Sequence, residues 1–206
     1  MDVALILLAV FVVWQVLRAR YQRSKIALLG RHLANLQLER HMETLTQGYT
    51  RAIHEDSESR QLQVLETFAQ TERAVAAQVQ TLASSMQKDG PQATRMGALS
   101  FCVPYGERFL PAAALRDFGA LLHIHAAGLR HAVDNVDSWD PKTRAFHLSA
   151  ELYLLQHSCH WFCKSRTVAD ARLLVRHQVK HQKVLESVSE VTRSAYVRWL
   201  RQAAQA

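Results

Sequence analysis

The chain has 206 residues and a formal net charge of +7, with 49% hydrophobic and 21% charged residues. This length admits one domain with an appendage and excludes a large multidomain enzyme. Seven glycines and four prolines exclude a Gly-rich or Pro-rich disordered chain and disfavour a turn-dense all-β fold. Three cysteines exclude a disulfide scaffold. The composition therefore favours an all-α protein.

The first segment with a clear pattern is the apolar run from Val3 to Leu17, in which Gln15 is the single polar residue. As a helix this run covers roughly 22 Å of a hydrocarbon core roughly 30 Å thick, and the stem of Arg18 extends the span. We therefore predict that residues 1–18 are a transmembrane anchor whose residues 3–17 contact membrane lipid. A cleaved signal peptide and a buried helix of a soluble protein are the two alternatives.

The charges beside the apolar run predict its orientation. No Lys or Arg precedes the run, and four basic residues follow it, Arg18, Arg20, Arg23 and Lys25. The positive-inside rule then places the N-terminus outside and the rest of the chain in the cytoplasm. We expect a single-pass protein of the inner membrane, and the three free cysteines fit a reducing compartment.

Residues 19–89 are predicted to form a long helical stalk of coiled-coil type. This segment contains no proline and is rich in good helix formers. Its second half carries a seven-residue repeat with one polar position, in the order Leu65, Phe68, Glu72, Val75, Val79, Leu82 and Met86. The polar segment 54–60 separates this repeat from an earlier one, as a stutter or as a local opening.

A narrow apolar seam of this kind needs a partner to exclude water. The partner is a copy of the chain, the rest of the same chain, or another protein. We expect a stalk that self-associates, most simply as a dimer, or that binds a protein partner.

The last half of the chain is predicted to be an irregular linker, residues 90–108, followed by a bundle of about four helices, residues 109–206. Asp140 and Pro141 form a strong helix start. Capping-box patterns at Thr167 and Ser187 predict the starts of the third and fourth helices.

Eight of the eleven histidines fall between His123 and His181. Four of these histidines and one cysteine form the candidate metal site. His157, His160 and Cys163 lie on one side of a predicted helix, and His177 and His181 share a face of the next. Two facing helices of this kind could hold zinc or haem. The sequence has no Cys-x-x-Cys or His-Glu-x-x-His motif, so the favoured interpretation is that these side chains hold no cofactor.

A basic face is predicted on the third helix of the bundle. Four residues fall within about 80° of arc, Arg172, Arg176, Lys180 and Lys183. Beneath a membrane the nearest polyanion is the lipid surface, so this face is a candidate contact with anionic lipid or with a partner. The aromatic residues do not alternate with the basic ones, which disfavours nucleic acid.

No phosphate-binding glycine loop, nucleophile elbow or Rossmann fingerprint is present, and no small-molecule substrate is inferred. A cysteine enzyme built on Cys102 is the remotest alternative. The sequence favours a non-enzymatic, membrane-anchored protein with a cytoplasmic coiled-coil stalk and an α-helical interaction domain. The alternative is a sensor that binds metal or haem through the histidine and cysteine cluster.

Overall fold

The computed structural model describes residues 2–202, and within that range nearly all of the ordered backbone is helical. The helices are α1 (Asp2–Leu33), α2 (Leu38–Ile53), α3 (Glu58–Thr67), α4 (Ala69–Gln87), α5 (Pro91–Thr94), α6 (Phe118–Val133), α7 (Pro141–Cys163), α8 (Arg166–His177), α9 (His181–Ser187) and α10 (Glu190–Arg201). Two short strands, β1 (Arg95–Gly97) and β2 (Leu115–Asp117), pair antiparallel. The predicted all-α architecture, one apolar helix followed by a helical bundle, is confirmed.

Helix α1 has two parts that meet different surroundings. Its large apolar side chains from Val3 to Leu17 are exposed, with values such as 72% at Val3 and 58% at Leu8. From Tyr21 onward one face of the same helix is buried against the bundle. By length and composition α1 is able to cross a membrane, with a mean hydropathy of 2.0 in its most apolar window. This agrees with a single-pass membrane protein.

The segment expected to form a stalk is not one helix. The chain turns after Leu33, and the predicted opening at 54–60 is present because α2 ends at Ile53 and α3 begins at Glu58. The seam side chains pack inside the same chain, largely between α4 and α6, and Val79, Leu82 and Met86 are each 0% exposed. The rest of the chain is thus the partner that covers this seam.

Phe68, which lies at the interruption between α3 and α4, packs its ring against α2. A Cβ atom on Gly48 would lie 2.8 Å from Phe68 Cε1, so α2 accepts this ring only because position 48 is glycine. The ring also meets Tyr49 edge to face, with centroids 5.7 Å apart.

The one polar residue of the repeat, Glu72, is 2% exposed and has partners within the chain. Its Oε1 accepts a hydrogen bond of 2.6 Å from the Tyr49 hydroxyl. Its Oε2 lies 3.0 Å from Nη2 of Arg144 on α7. Glu72 therefore joins α2, α4 and α7, and it does not specify a coiled-coil register.

Residues 90–108 are not a free linker. They contain α5, β1 and a 3-10 turn at Gly106–Arg108, and they pack against α1. The Tyr21 hydroxyl donates a hydrogen bond of 3.1 Å to Glu107. The indole of Trp161 donates one of 3.1 Å to the Gly97 carbonyl. The segment therefore connects α1 to the bundle.

The C-terminal part has five helices because the predicted third helix is divided. Gln178 adopts a left-handed conformation with φ 56° and ends α8, and α9 begins at His181. The start at Asp140 is confirmed, since its side chain accepts from the amides of Lys142 and Thr143. The other two starts are shifted, because Ser165 and Ser189 provide the caps instead of Thr167 and Ser187.

Candidate functional site

A groove of about 420 Å³, which we call the α1–α2–α7 groove, lies at the junction of these three helices. It forms where the chain turns from α1 into α2 and passes over α7, with the first part of α2 as one wall and α8 as the other. Most of its lining surface is apolar, and the apolar side chains include Ile26, Leu29, Leu33, Leu36, Leu38, Met42 and Leu155. A volume of this size is within the range of ligand and side-chain pockets.

The walls of the groove carry opposite charges. Arg172 and Arg176 line it from α8, and Glu39 and Glu43 line it from α2. The closest approach of the two walls is 3.8 Å, between Arg176 Nη2 and Glu43 Oε1. Both of those side chains are more than half exposed, so this pair is weak and a ligand could replace it.

Two further cavities adjoin the groove, one along α8 and one along α2. One, of about 620 Å³, continues past Arg172 along α8 to Val175. The other, of about 530 Å³, continues past Arg176 along α2 to Thr50. Val175 is 77% exposed, so an apolar side chain stands at the rim beside the two arginines.

Cys159 and Cys163 line the groove, but neither is an activated thiol. Burial raises the pKa of both, and that of Cys163 is raised to about 11. Burial also raises the pKa of Cys102, which lies beside α1 and outside the groove. All three side chains are therefore neutral thiols at physiological pH, which are poor nucleophiles and poor metal ligands.

Of the five proposed metal ligands, His157 and His181 meet each other. Their rings lie 4.3 Å apart between centroids. Nε2 of His157 makes a 2.7 Å hydrogen bond with Asp170, and Nε2 of His181 lies 3.2 Å from the Tyr196 hydroxyl. Desolvation lowers the pKa of both rings, that of His181 to about 4. The pair is thus a neutral, largely buried contact between two tilted rings.

The other candidates lie along the groove and have separate partners. Arg172 donates a hydrogen bond of 3.2 Å to Nδ1 of His160, and burial lowers the pKa of that histidine to about 4. His177 bonds Gln156 at 2.8 Å and stacks on Tyr153 with centroids 4.1 Å apart. Over residues 2–202, no group of three or more His, Cys, Asp or Glu side chains has an arrangement that could hold a metal ion.

The predicted basic face is divided. Arg172 and Arg176 lie on α8 and reach the groove. Lys180 and Lys183 follow the left-handed Gln178 and are exposed; Lys180 precedes α9 as its N-cap residue, and Lys183 lies in α9. The arc calculated from a continuous helix was therefore wrong, because the helix ends before Lys180.

The residues expected to flank the membrane also differ from one another. Arg20 and Arg23 are exposed, and Arg18 is half-buried. Lys25 is 5% exposed, and its ammonium bonds the carbonyl oxygens of Ala93 and Arg95. Lys25 is therefore a structural residue of the bundle and is not available to lipid headgroups.

Two buried polar residues were missed by sequence reasoning. His125 is 0% exposed and lies 2.9 Å from Ser158 Oγ, and Glu151 accepts a hydrogen bond of 3.0 Å from the Ser189 hydroxyl. Each falls on the apolar stripe of its helix, His125 four residues after Leu121 and Glu151 three after Leu148. That spacing was the available signal.

Similarity to known proteins adds nothing to this description. No family model matches the chain, and comparisons with curated proteins and with solved structures find no significant match.

Proposed function

We propose that the protein is a non-enzymatic, single-pass membrane protein whose helical bundle is a cytoplasmic binding module. The observation that carries this proposal is the division of α1. Its apolar residues from Val3 to Leu17 are exposed on all faces, while its continuation packs into the bundle. In water such a surface would be costly, and in a bilayer the helix satisfies its own backbone hydrogen bonds.

The proposed orientation has the apolar run ending at the cytoplasmic side of the inner membrane. Arg18, Arg20 and Arg23 follow the run and support this assignment by the positive-inside rule. Lys25 does not support this assignment, because its ammonium is hydrogen-bonded to backbone carbonyl oxygens within the bundle.

The proposed binding surface is the α1–α2–α7 groove, and its proposed occupant is an apolar segment of a protein partner. The lining is apolar, the two walls carry opposite charges, and Val175 and Ile26 are exposed at or near the rim. Apolar centres with charged rims are typical of protein interfaces. The seam once expected to bind a partner is covered by the chain itself, whereas the groove remains accessible.

The absence of enzymatic activity is part of the same proposal. Its support is that the thiols beside the groove are held neutral and that the histidines there are bound to neighbouring side chains. A nucleophile would need a lowered pKa or a nearby general base.

Anchoring is tested by fractionation of the full chain and of a variant that lacks residues 1–17. We expect the full chain in the membrane fraction, released by detergent only, and the shortened chain in the soluble fraction. If both are soluble and monodisperse, the proposal is wrong. A reporter fused after residue 206 that is active only on the external side would overturn the orientation.

The groove is tested by photo-crosslinking in membranes. A benzophenone amino acid replaces Met42 in the groove, and a matched variant replaces Leu62 on α3, which is 37% exposed and outside the groove. We expect a discrete protein adduct from position 42 and none from position 62. Equal labelling at the two positions would contradict the assignment of the groove.

A further inference from the structure

Residues 98–110, which we call the aromatic loop, expose two large apolar side chains. Phe101 is 62% exposed and Phe109 is 66% exposed. Single exposed apolar residues are common on protein surfaces, whereas two exposed phenylalanines on one short loop indicate a contact surface.

The aromatic loop packs against α1 just beyond the apolar run. The hydroxyl of Tyr21 bonds Glu107 at 3.1 Å, and the ring of Tyr21 meets that of Tyr105 edge to face at 5.3 Å. Tyr21 comes four residues after Leu17, which is about 6 Å along a helix axis. The headgroup layer on each side of a bilayer is about 5–7 Å thick. The loop is therefore at headgroup depth when the run is in the hydrocarbon core.

The loop is held in place by specific contacts. The Ser100 carbonyl accepts two hydrogen bonds from Thr167, at 3.0 Å from its amide and 2.7 Å from its hydroxyl. Tyr105 adopts a left-handed conformation with φ 55°, which non-glycine residues adopt only where the surroundings enforce it. The exposure of the phenylalanines thus belongs to a defined backbone.

The charges around the loop suit an anionic surface. Arg108 is exposed, with its guanidinium 5.3 Å from the ring of Tyr105, and Arg20 and Arg23 are exposed on α1. The one acidic residue of the loop, Glu107, is occupied by the Tyr21 hydroxyl. Aromatic and basic side chains together are the composition found at membrane interfaces.

We propose that the aromatic loop is a second membrane contact, in which Phe101 and Phe109 enter the headgroup layer of the leaflet that α1 leaves. This inference rests on the proposed membrane anchoring of α1. It assigns the lipid surface to residues 98–110, and not to the residues of α8 and α9 expected from the sequence.

The test uses the full chain reconstituted in vesicles of phosphatidylcholine and phosphatidylglycerol. A benzophenone amino acid replaces Phe101, Phe109, Val10 or Val136 in four separate variants, and lipid adducts are measured by mass spectrometry after irradiation. Val136 is the matched control because it is 63% exposed and lies just after the C-terminal end of α6. That end is about 24 Å along the helix axis from Phe118, the first residue of α6. Val10 reports on the anchor itself.

We expect lipid adducts at positions 101, 109 and 10 to exceed those at position 136 by about tenfold or more, the ratio that about 1.4 kcal/mol of preference produces. Adducts at position 10 without adducts at 101 and 109 would overturn this inference and leave the anchor intact. No adduct at position 10 would overturn the anchor and the inference together. Protein adducts at 101 and 109 in native membranes, without lipid adducts, would show that the loop contacts a protein partner. That result would overturn the proposed contact with the bilayer.

Discussion

The ammonium of Lys25 on α1 donates a hydrogen bond of 2.8 Å to the carbonyl oxygen of Arg95, the first residue of β1. A second bond of 3.0 Å goes to the Ala93 carbonyl. Desolvation lowers the pKa of Lys25, and the two carbonyl dipoles compensate part of the cost of its burial. The two hydrogen bonds of Lys25 connect α1, which carries the apolar run, to the bundle.

We predict that Lys25→Met destabilises the folded bundle by about 1–3 kcal/mol, because two part-buried carbonyl oxygens lose their donor. The measurement is chemical denaturation of the detergent-solubilised chain followed by circular dichroism. The control is Arg23→Met on the same helix, which is exposed and should change the stability by less than about 0.5 kcal/mol. Equal effects of the two substitutions would show that Lys25 is not a structural residue.

A second prediction concerns the buried pair of Glu72 and Arg144, whose side chains are 2% and 19% exposed. Arg144→Met should destabilise the protein by about 3–5 kcal/mol, because it leaves a buried carboxylate without its cation. The double variant with Glu72→Gln should recover part of this loss, since the amide carries no charge. Thermal denaturation of the two single variants and the double variant measures the coupling, and strictly additive effects would contradict it.

The third prediction concerns the close approach of α6, α7 and α10 at Gly128. A Cβ atom there would collide with the Thr192 hydroxyl and lie 2.8 Å from Glu151 Oε2. Gly128→Ala should therefore cost about 2–3 kcal/mol through overpacking. Gly30→Ala is the matched control, since nothing lies within 4 Å of its Cβ position, and it should be neutral or stabilising. A thermal shift of the same sign in both variants would refute the contact.

Acid should destabilise the protein through its buried histidines. Burial lowers the pKa of His125 to about 3 and those of His160 and His181 to about 4. The unfolded chain therefore binds more protons below about pH 6.5, so the stability is complete above that pH and is lost as the pH falls towards 4. We expect a total loss on the order of 3 kcal/mol after solvent screening at the half-buried rings. Denaturation curves across this range measure it, and a flat profile would contradict it.

Glu151 should act in the opposite direction. Desolvation raises its pKa to about 7, so the folded state holds a proton that the unfolded chain has released. Its contribution to stability is thus present at acid pH and lost as the pH rises from about 4.5 to about 7. Glu151→Gln should gain on the order of 2–3 kcal/mol relative to the parent chain between about pH 4 and about pH 8. A difference between the two chains that does not vary with pH would disprove this.

The fold class and the apolar first helix were predictable because they depend on local composition and periodicity. The run from Val3 to Leu17 and the start at Asp140 are features of neighbouring residues, and both are present as expected. A repeat shows that an apolar face must be covered, but it does not show which surface covers it. The partner of the apolar seam was therefore not predictable. The seat of the Phe68 ring depends on Gly48, twenty residues away in the chain.

The candidate site was predicted only in part, for a similar reason. The sequence pattern placed His177 and His181 on one helix face and Arg176 and Lys180 on one basic face. One left-handed residue, Gln178, separates the members of each pair. Glutamine has no strong preference for that conformation, so the sequence carries no signal of the break. The groove itself depends on the turn after Leu33, which contains neither proline nor glycine.

The uninterrupted course of α1 from Asp2 to Leu33 has a mechanical consequence. No flexible joint lies between the apolar run and the residues that dock on the bundle, so the two parts turn as one body. Helices in bilayers change their tilt with hydrocarbon thickness. With α1 in a bilayer, as proposed, a thinner or thicker membrane would therefore swing the whole bundle, together with its groove, through the same angle relative to the membrane plane.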